Sequence, residues 1–570
     1  MVRVLPDVAA IGRCFDYLVP AHLEDQVGVG TIVRVALHGR RVRGWVVEDD
    51  VTPAPGMSLR PLARVTGWGP PAGIVELAAW AAWRWAGPRS TFLRAASPRR
   101  RVLSLPSLRS GGHGGRSPPA MSSREGDLVG EAFGAERSVV RVPPDADPFV
   151  FVSRAASLGD ALVLTPSAAQ ADHLLRRLRR EGRGAAAWPG DWARATAGDV
   201  VVVGGRGAAW APVPALAAVV AIDVHDQAHQ EERAPSWNGW HVAAERARRD
   251  GVPCVALSPC PSLETLAWGR LLTPSRARER AGWPAVDVVD RRHDDPRAGL
   301  YSERLVRLVR SGRRVACILN RKGRARLLTC AACGELARCE RCGAAAEQVP
   351  DGLRCRACGL ERPSVCTACG AQRLKILRPG VSRVAEELEA LVGAGVGEIT
   401  SQTTATPDTP VVVGTEAALH RLEELDAVAF LDFDQELLVP RFRAGEHALA
   451  LLARAARVVG GRRGTILVQT RVPDHEVLDA AVHSDPGRLT VAERGRREAL
   501  RLPPVTALAE VSGPDAASMV ASLPTSVERL GPDGDRWLLR APDHTALCDA
   551  LASVARPRGR VRVVVDPSRA

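Results

Sequence analysis

Lysine is nearly absent from this chain of 570 residues. Only Lys322 and Lys375 occur, and arginine supplies all the other basic residues. The phosphate-binding loop of many nucleotide-hydrolysing enzymes ends in Gly-Lys-Ser/Thr, because its lysine neutralises the β- and γ-phosphates. The chain has no Gly-Lys dipeptide and no lysine before residue 322. The first half of the chain therefore cannot contain this loop.

Long apolar runs are also missing. No stretch of about 18 apolar residues, the length needed to cross a bilayer, occurs, and the first residues lack the apolar segment of a secretory signal. Eight of the 13 cysteines fall within 40 residues of each other and the rest are scattered. Clustered, unbridged thiolates fit a reducing compartment. We therefore expect a cytoplasmic protein without membrane contact.

Positive charge exceeds negative charge, with 77 Lys and Arg against 64 Asp and Glu and a formal net charge of +13. This excess favours a polyanionic partner, nucleic acid first, and an even spread of charge is the alternative. Near the start of the chain, Arg34, Arg40, Arg41 and Arg43 surround Gly39. Such a cluster can hold phosphates by charge-assisted hydrogen bonds, or it can be a solvated loop.

The most specific pattern lies between residues 330 and 369, where eight cysteines form four C-x-x-C pairs. The pairs are Cys330/Cys333, Cys339/Cys342, Cys355/Cys358 and Cys366/Cys369. Two such pairs close a tetrahedral shell of four thiolates, the preferred geometry of structural zinc. The pattern predicts two zinc ions, both structural, because four sulfurs leave no coordination position for water.

Spacing alone leaves the pairing of these four knuckles open. Sequential pairing needs a tight link of five residues between Cys333 and Cys339. Nested pairing puts the outer pairs on one zinc and the inner pairs on the other, and we favour it because it avoids that link. A disulfide framework is disfavoured by the local density of cysteines and the missing secretory signal.

The remaining sequence predicts a multidomain α/β protein. Strands at 31–37 and 44–47 and a helix at 74–85 indicate a β-rich N-terminal domain. Further on, apolar runs alternate with helical patterns, the order of α/β units with parallel sheets. The predicted strands are 149–152, 161–165, 199–203, 219–222, 253–257, 314–319, 410–413, 428–432, 465–469 and 560–567, and the predicted helices are 170–180, 240–249 and 381–391.

Several segments resemble the primosomal protein N′ or PriA family of replication-restart helicases, over nearly the whole length of the chain. They are FDYLVP (15–20), TIVRVALHGRRVRG (31–44), LNRKGRARLLTCAACG (319–334), RPGVSRVAEELEAL (378–391), PRFRAGEHALALL (440–452) and LPPV (502–505). The resemblance implies a β-rich N-terminal DNA-binding domain, two degenerate RecA-like helicase lobes, an inserted two-zinc module and a small α+β C-terminal domain.

The predicted domains follow from this resemblance and from composition. Residues 1–100 would bind a DNA 3′ end, and 101–137, rich in Ser, Gly and Pro, would be a linker with a lost or vestigial winged helix. Residues 138–270 would form lobe 1, and 271–329 with 370–478 would form lobe 2. The cysteine-rich module would occupy 330–369 and the C-terminal domain 479–570.

The resemblance also implies particular site residues. Cys330, Cys333, Cys366 and Cys369 would hold the first zinc, and Cys339, Cys342, Cys355 and Cys358 the second. Phe15, Asp16, Tyr17, Gly39 and Arg60 would line a pocket for the 3′ end of the nascent leading strand. An aromatic ring can stack on the terminal base, and a carboxylate can accept a hydrogen bond from the 3′ hydroxyl.

The chain departs from the family at its nucleotide site. Residues 143–160 contain no glycine-rich loop, Val224 stands where the family has the carboxylate that activates water, and Val458 and Gly461 stand where arginines contact phosphate. Each of these groups supplies orders of magnitude in rate. We therefore expect no ATP cofactor, no catalytic residue and no enzyme activity, which makes the chain a pseudo-helicase.

The functional prediction is a replication-restart protein that binds abandoned or stalled forks and promotes reloading of the replicative helicase. Expected partners are forked DNA with a leading-strand 3′ end, single-stranded DNA, other primosome proteins and the replicative helicase or its loader. Such a protein would be associated with the nucleoid. The alternatives are an active ATP-dependent 3′→5′ DNA helicase with divergent motifs and an assembly scaffold that does not depend on nucleic acid.

Overall fold

The computed structural model places most of the chain. The described residues are 1–8, 11–52, 59–108, 123–294, 299–319, 328–349, 352–355, 358–376, 381–399, 403, 407–557 and 560–568. Residues 320–327, which include Lys322 and belong to the segment LNRKGRARLLTCAACG (319–334), lie outside them. No helix in the described ranges is long and apolar enough to cross a membrane.

The N-terminal unit is a six-stranded sheet followed by two helices. Its strands lie in the order β5-β2-β1-β4-β3-β6, so β5 and β6 form the edges. One face covers a small core that includes Tyr17, Val33 and Val35. The elements are β1 (Val2–Pro6), β2 (Phe15–Leu18), β3 (Ile32–Leu37), β4 (Arg40–Asp49), β5 (Arg60–Pro61), β6 (Arg64–Gly67), α1 (Ala72–Arg84) and α2 (Arg89–Ala96).

The next unit, called lobe 1 below, is a seven-stranded sheet in the order β13-β7-β12-β11-β8-β10-β9. All its strand pairs are parallel, and helices cover both faces, which explains why its central strands are apolar apart from Asp160 and Ser258 at their ends. Its elements are α3 (Ser123–Phe133), β7 (Arg137–Arg141), α4 (Phe149–Leu158), β8 (Asp160–Leu164), α5 (Ala168–Arg180), β9 (Ala185–Ala187), α6 (Trp192–Ala197), β10 (Val201–Gly204), β11 (Leu216–Ile222), α7 (Gly239–Asp250), β12 (Cys254–Ser258), α8 (Leu263–Trp268) and β13 (Arg270–Leu272).

Lobe 2 is a six-stranded parallel sheet in the order β14-β24-β23-β15-β22-β21. The cysteine-rich segment lies between β15 and β22 and adds a two-stranded and a three-stranded antiparallel sheet. The elements are α9 (Arg276–Ala281), β14 (Ala285–Asp290), α10 (Glu303–Val309), β15 (Val315–Ile318), β16 (Leu328–Cys330), β17 (Ala346–Val349), β18 (Gly352–Cys355), β19 (Glu361–Arg362), β20 (Leu374–Ile376), α11 (Val381–Val392), β21 (Gly397–Ile399), β22 (Val411–Gly414), β23 (Ala427–Phe430), α12 (Asp434–Leu437), α13 (Ala444–Val458), β24 (Thr465–Thr470), α14 (Glu476–Val482) and α15 (Pro486–Leu500).

The C-terminal unit is a four-stranded antiparallel sheet in the order β26-β27-β25-β28. One continuous core joins it to α1, α2 and one face of lobe 1. The ring of Phe92 lies 5.8 Å from that of Trp210, and Arg84 pairs with Asp566 at 2.6 Å. The elements are β25 (Ala507–Ser512), α16 (Ala516–Ala521), β26 (Glu528–Asp533), β27 (Arg536–Ala541), α17 (His544–Ser553) and β28 (Arg562–Val565).

The structure differs from the sequence-based expectation at two places. The strand predicted at 149–152 is the first turn of α4, because the Asp147 carboxylate accepts a hydrogen bond from the Phe149 amide and the apolar run continues to Leu158. A short apolar run is ambiguous between a strand and a buried helix. Within the predicted linker, residues 123–133 form α3, and Val129 and Ala132 are buried in the core of lobe 1.

Candidate functional site

Each of the four cysteine pairs forms the same tight turn. In the first, the Gly334 amide donates to the Cys330 carbonyl at 3.0 Å, and the Cys330 amide donates to the Glu335 carbonyl at 2.8 Å. Gly334 has a φ of 77°, a left-handed conformation that favours glycine. A glycine follows the second cysteine of every pair, and Gly343, Gly359 and Gly370 repeat the conformation with φ of 74°, 73° and 74°. The sequence signal is thus C-x-x-C-G, and not C-x-x-C alone.

The structure brings the eight thiols into two groups. The outer pairs form one group and the inner pairs form the other, and within each group the sulfur atoms lie within 4.8 Å of one another. The Sγ–Sγ distances are 3.5 Å for Cys330–Cys369, 3.6 Å for Cys333–Cys366, 3.4 Å for Cys339–Cys358 and 3.5 Å for Cys342–Cys355.

These distances suit a tetrahedral metal ion. Four sulfurs at about 2.3 Å from a central zinc would be about 3.8 Å apart, close to the separations observed. A disulfide would need sulfurs at about 2.05 Å, and all eight thiols are free. Two four-thiolate sites that could each hold a metal ion are therefore present, and thiolate chemistry favours zinc among the common metals.

Backbone amides prepare some of these thiols for ionisation. The Cys333 amide lowers the pKa of Cys330 to about 6. At Cys339 burial opposes ionisation, but the amides of Cys342 and Arg341 outweigh it and lower the pKa to about 7. Metal binding requires thiolates, so these turns reduce the cost of deprotonation near neutral pH.

The cysteine-rich segment is attached to lobe 2 by hydrogen bonds and by packing. The Ala345 amide donates to the Leu438 carbonyl at 2.8 Å, and the Arg471 guanidinium donates to the Gly334 carbonyl at 3.0 Å. Leu336 and Ala345 are buried in the core of lobe 2. A change in the metal-binding turns would therefore reach the parallel sheet directly.

Three of the predicted DNA-end residues, Phe15, Asp16 and Tyr17, lie on strand β2, and the strand divides them between two faces. Phe15 and Tyr17 pack on the small N-terminal core, and Tyr17 is 4% exposed, with its hydroxyl donating to the Ala36 carbonyl at 3.1 Å. Successive side chains of a strand point to opposite faces. Asp16 accordingly lies on the other face, where Arg3 donates to it at 2.9 and 3.3 Å.

Arg60 and Gly39 lie at two different margins of the same sheet. Arg60 is exposed on the edge strand β5, where it pairs in register with Tyr17. Gly39 has a φ of 75° in the turn between β3 and β4, and an added Cβ there would meet no atom within 4 Å. The structure thus brings Arg60 next to Tyr17, and Gly39 lies three residues from the carbonyl that Tyr17 contacts.

Another polar site lies where the two lobes meet. Asp223 follows the carboxyl end of β11 with a φ of 54° and is 1% exposed. Arg457 of α13 binds both of its oxygens, at 2.5 and 2.8 Å, and Arg454 of the same helix pairs with Asp226. Burial opposes the charge of Asp223, but Arg457 outweighs burial and holds its pKa well below the usual value.

Sequence reasoning missed Arg454 and Arg457. It noted that Val458 and Gly461 replace arginines, yet two other arginines from the same helix reach the junction between the lobes. Their spacing of three residues, which places them on one face of α13, was the available signal. Val224, in the position of the missing carboxylate, is buried and its amide donates to the Leu257 carbonyl at 3.1 Å.

A β-rich N-terminal sheet, two parallel-sheet lobes that meet at charged residues and two four-thiolate sites define a multidomain α/β protein with two candidate metal centres. The family model of the PriA 3′ DNA-binding domain (3′BD) matches residues 3–98. This segment contains the N-terminal sheet, apart from Val2 at the start of β1, together with α1 and α2. The N-terminal unit therefore matches a domain of the PriA replication restart proteins, and the chain is similar to proteins of that name along most of its length.

Comparison with curated proteins extends the similarity beyond the N-terminal unit. The probable replication restart protein PriA of Mycobacterium tuberculosis is 29% identical over 626 residues, which cover 97% of this chain and 91% of the relative. The replication restart proteins PriA of Bacillus subtilis and Thermotoga maritima are 26% and 27% identical and cover 55% and 56% of this chain. In those two comparisons the chain spans 43% and 47% of the relative, less than half of its length.

These matches overturn one prediction. The altered nucleotide motifs led to the expectation that the chain is not an enzyme. The similarity to PriA, a helicase family, runs along 97% of the chain and includes both lobes. The expectation was wrong because missing motif residues were given more weight than similarity over the full length. A role in replication restart agrees with the names of the relatives.

Proposed function

We propose that this protein recognises a replication fork through the 3′ end of the leading strand and promotes reloading of the replicative helicase there. The observation that carries the proposal is the match of residues 3–98 to a 3′ DNA-binding domain. The name that the relatives share, replication restart protein, supports the wider role. The domains predicted from the sequence are part of this proposal.

The DNA end would bind at the edge of the sheet where β2 and β5 meet. Phe15 is partly exposed and can stack on the terminal base, and Arg60 is exposed and can bind the last phosphate. Tyr17 supports this edge from the core. Asp16 is 13% exposed as a side chain and, held by Arg3, can accept the 3′ hydroxyl hydrogen bond from the neighbouring face.

The turn at Gly39 would bring the backbone close to the DNA. Its left-handed conformation and the open space around it let a strand approach without meeting a side chain. Gly39→Ala would be strained by the backbone conformation and would also add bulk. We expect this substitution to weaken binding of a 3′ end.

The two four-thiolate sites would hold structural zinc. The segment from 330 to 369 has five Arg and five acidic residues, so its net charge does not favour phosphate. We propose that it docks primosome proteins, the replicative helicase or its loader. Its attachment to lobe 2 would give such a partner a rigid platform.

The first test compares a labelled fork that carries a leading-strand 3′ hydroxyl with the same fork carrying a 3′ phosphate. Fluorescence anisotropy should show tighter binding to the 3′ hydroxyl, and Arg60→Ala should reduce that preference. Arg488→Ala, an exposed arginine of α15 that pairs with Asp479, is the matched control. Equal affinity for the two forks would count against the proposal.

ATP-dependent unwinding of DNA is the second candidate activity. It is favoured by the similarity across both lobes and by the two arginines that α13 sends to the end of β11. ATP hydrolysis by the purified protein, with and without the fork, tests it. Turnover stimulated by fork DNA would support this activity, and turnover at the level of a buffer control would count against it.

A further inference from the structure

Three arginines stand side by side across the N-terminal sheet. Arg34 on β3 lies directly opposite Arg43 on β4 and directly opposite Arg64 on β6. Residues in such antiparallel positions have Cβ atoms about 5 Å apart and share one face. The three residues are called the arginine row below. Arg34 and Arg43 face each other across one hairpin, and Arg64 joins them through the pairing of β6 with β3.

The positive charge of this row is not neutralised by ion pairs with carboxylates in the described residues. In the described part of the chain none of the three arginines forms an ion pair within 4.0 Å. Asp7, whose charge acts on Arg43, is bound by two nitrogens of Arg94 at 2.6 and 3.0 Å. The Nε of Arg43 is buried without a hydrogen-bond partner, and its guanidinium lies 5.1 Å from the ring centre of Trp45.

Like charges in directly opposite positions of a sheet repel one another. Burial lowers the pKa of Arg43, and the positive charges of Arg94 and Arg34 act in the same direction. An anion on this face would relieve the repulsion and could accept hydrogen bonds from the solvent-facing nitrogens of Arg34 and Arg64. Guanidinium groups suit phosphate because their donors match two of its oxygens.

The arginine row lies on the opposite face from the aromatic residues of the proposed 3′-end site. Val33 and Val35, which flank Arg34 in β3, pack with Tyr17 in the small core. Ile32, on the same face of β3 as Arg34, and its partner Trp45 on β4 pack towards α1 and α2. The row therefore lies apart from Phe15 and Tyr17, although it shares its face with Asp16, and a ligand there would not cover the two aromatic rings.

We propose that the arginine row binds the phosphodiester backbone of duplex DNA next to the 3′ end. The inference rests on the proposed function, because it takes DNA as the ligand of this domain. The row would bind the backbone phosphates of the duplex, whereas the 3′-end site would bind the terminal nucleotide. Phosphate contacts position a protein on DNA without reading sequence.

The test measures duplex binding as a function of salt. Each phosphate neutralised contributes about 0.9 to the slope of log affinity against log salt. The triple variant Arg34→Gln, Arg43→Gln, Arg64→Gln should lower the slope by up to about 2.7. Its loss of affinity between 50 and 200 mM salt should then be about 40-fold smaller than that of the original protein. The exposed Arg64→Gln alone should lower it by about 0.9, which keeps the test valid if the triple variant unfolds.

A matched triple variant of Arg176, Arg179 and Arg180 to Gln removes the same charge from an exposed face of α5. Its slope should stay near that of the original protein. An unchanged slope in the Arg64→Gln variant, or an equal fall in the α5 control, would overturn the inference. The ratio of affinities for 3′ hydroxyl and 3′ phosphate ends should survive loss of the row.

The two proposals can fail separately. If the unmodified protein binds forks with a 3′ hydroxyl and a 3′ phosphate equally, the 3′-end function is rejected. The salt slope then still tests whether the arginine row binds duplex DNA. A preserved preference with no change in slope would reject the row alone. Tight binding to single strands, with no gain from duplex, would also reject it.

Discussion

The ion pair between Asp223 and Arg457 should hold lobe 1 and lobe 2 together, and Arg457→Met tests this. Asp223 is almost completely buried, and its carboxylate is bound at 2.5 and 2.8 Å by a guanidinium from the other lobe. Removing one partner of a buried pair leaves an uncompensated charge and costs about 3–5 kcal/mol. The double variant Asp223→Asn, Arg457→Met removes both charges and should recover much of that loss.

Urea unfolding followed by tryptophan fluorescence measures the effect. Because the midpoint equals the free energy of unfolding divided by its urea dependence, Arg457→Met should lower the midpoint. Arg292→Met is the control, because Arg292 is 45% exposed in its pairs with Asp290 and Asp474. Exposed pairs contribute little to stability, because solvent screens the two charges.

The effect of Arg457→Met also has a defined dependence on pH. The folded-state pKa of Asp223 lies below its ordinary value of 3.8. Its stabilising contribution is therefore present above about pH 4 and is lost as pH falls through the folded-state pKa. In Arg457→Met, burial acts on Asp223 without its main counter-charge and raises its pKa, so the difference between the two proteins should be largest at high pH and shrink as pH falls through that raised pKa. A midpoint shift no larger than that of Arg292→Met, or a difference that grows in acid, would refute the reasoning.

Two further predictions concern lobe 2 and its cysteine-rich segment. Cys355→Ser should lower the zinc content, measured by atomic absorption, from two ions per chain to one. The control Cys254→Ser, in a buried strand, should keep two ions. An unchanged zinc content in Cys355→Ser would contradict the ligand assignment. Burial and then the charge of Asp432 raise the pKa of Asp434 to about 7, so its stabilising contribution is lost as pH rises towards 7. Asp432→Asn should therefore raise Tm more at pH 8 than at pH 5, and an equal change at both would contradict this.

Much of the secondary structure could be predicted from the chain. The strands near 161–165, 219–222 and 253–257 correspond to β8, β11 and β12, because apolar runs bounded by turn residues are typical of strands buried on both faces. The helices at 170–180 and 240–249 correspond to α5 and α7. The failure at 149–152 shows the limit, since a short apolar run fits a buried helix equally well.

The metal sites could be predicted from the sequence more fully than the DNA-end site. The cysteine spacing alone predicted two four-thiolate sites, because a metal needs ligands in adjacent turns and each turn is local. The DNA-end residues were recognised by resemblance. The sequence analysis predicted no strand at 15–18, so it did not reveal that Asp16 faces away from Phe15 and Tyr17.

The sequence by itself determined the features that depend on neighbours along the chain: the four cysteine turns, the amphipathic helices and the buried strands. Tertiary structure alone decided the contacts between distant residues. Asp223 and Arg457 are 234 residues apart, and Arg34 meets Arg43 and Arg64 only after the strands are ordered and in register. Spacing constrains local geometry, whereas strand order and register arise from packing of the whole core, and the charged surfaces follow from them.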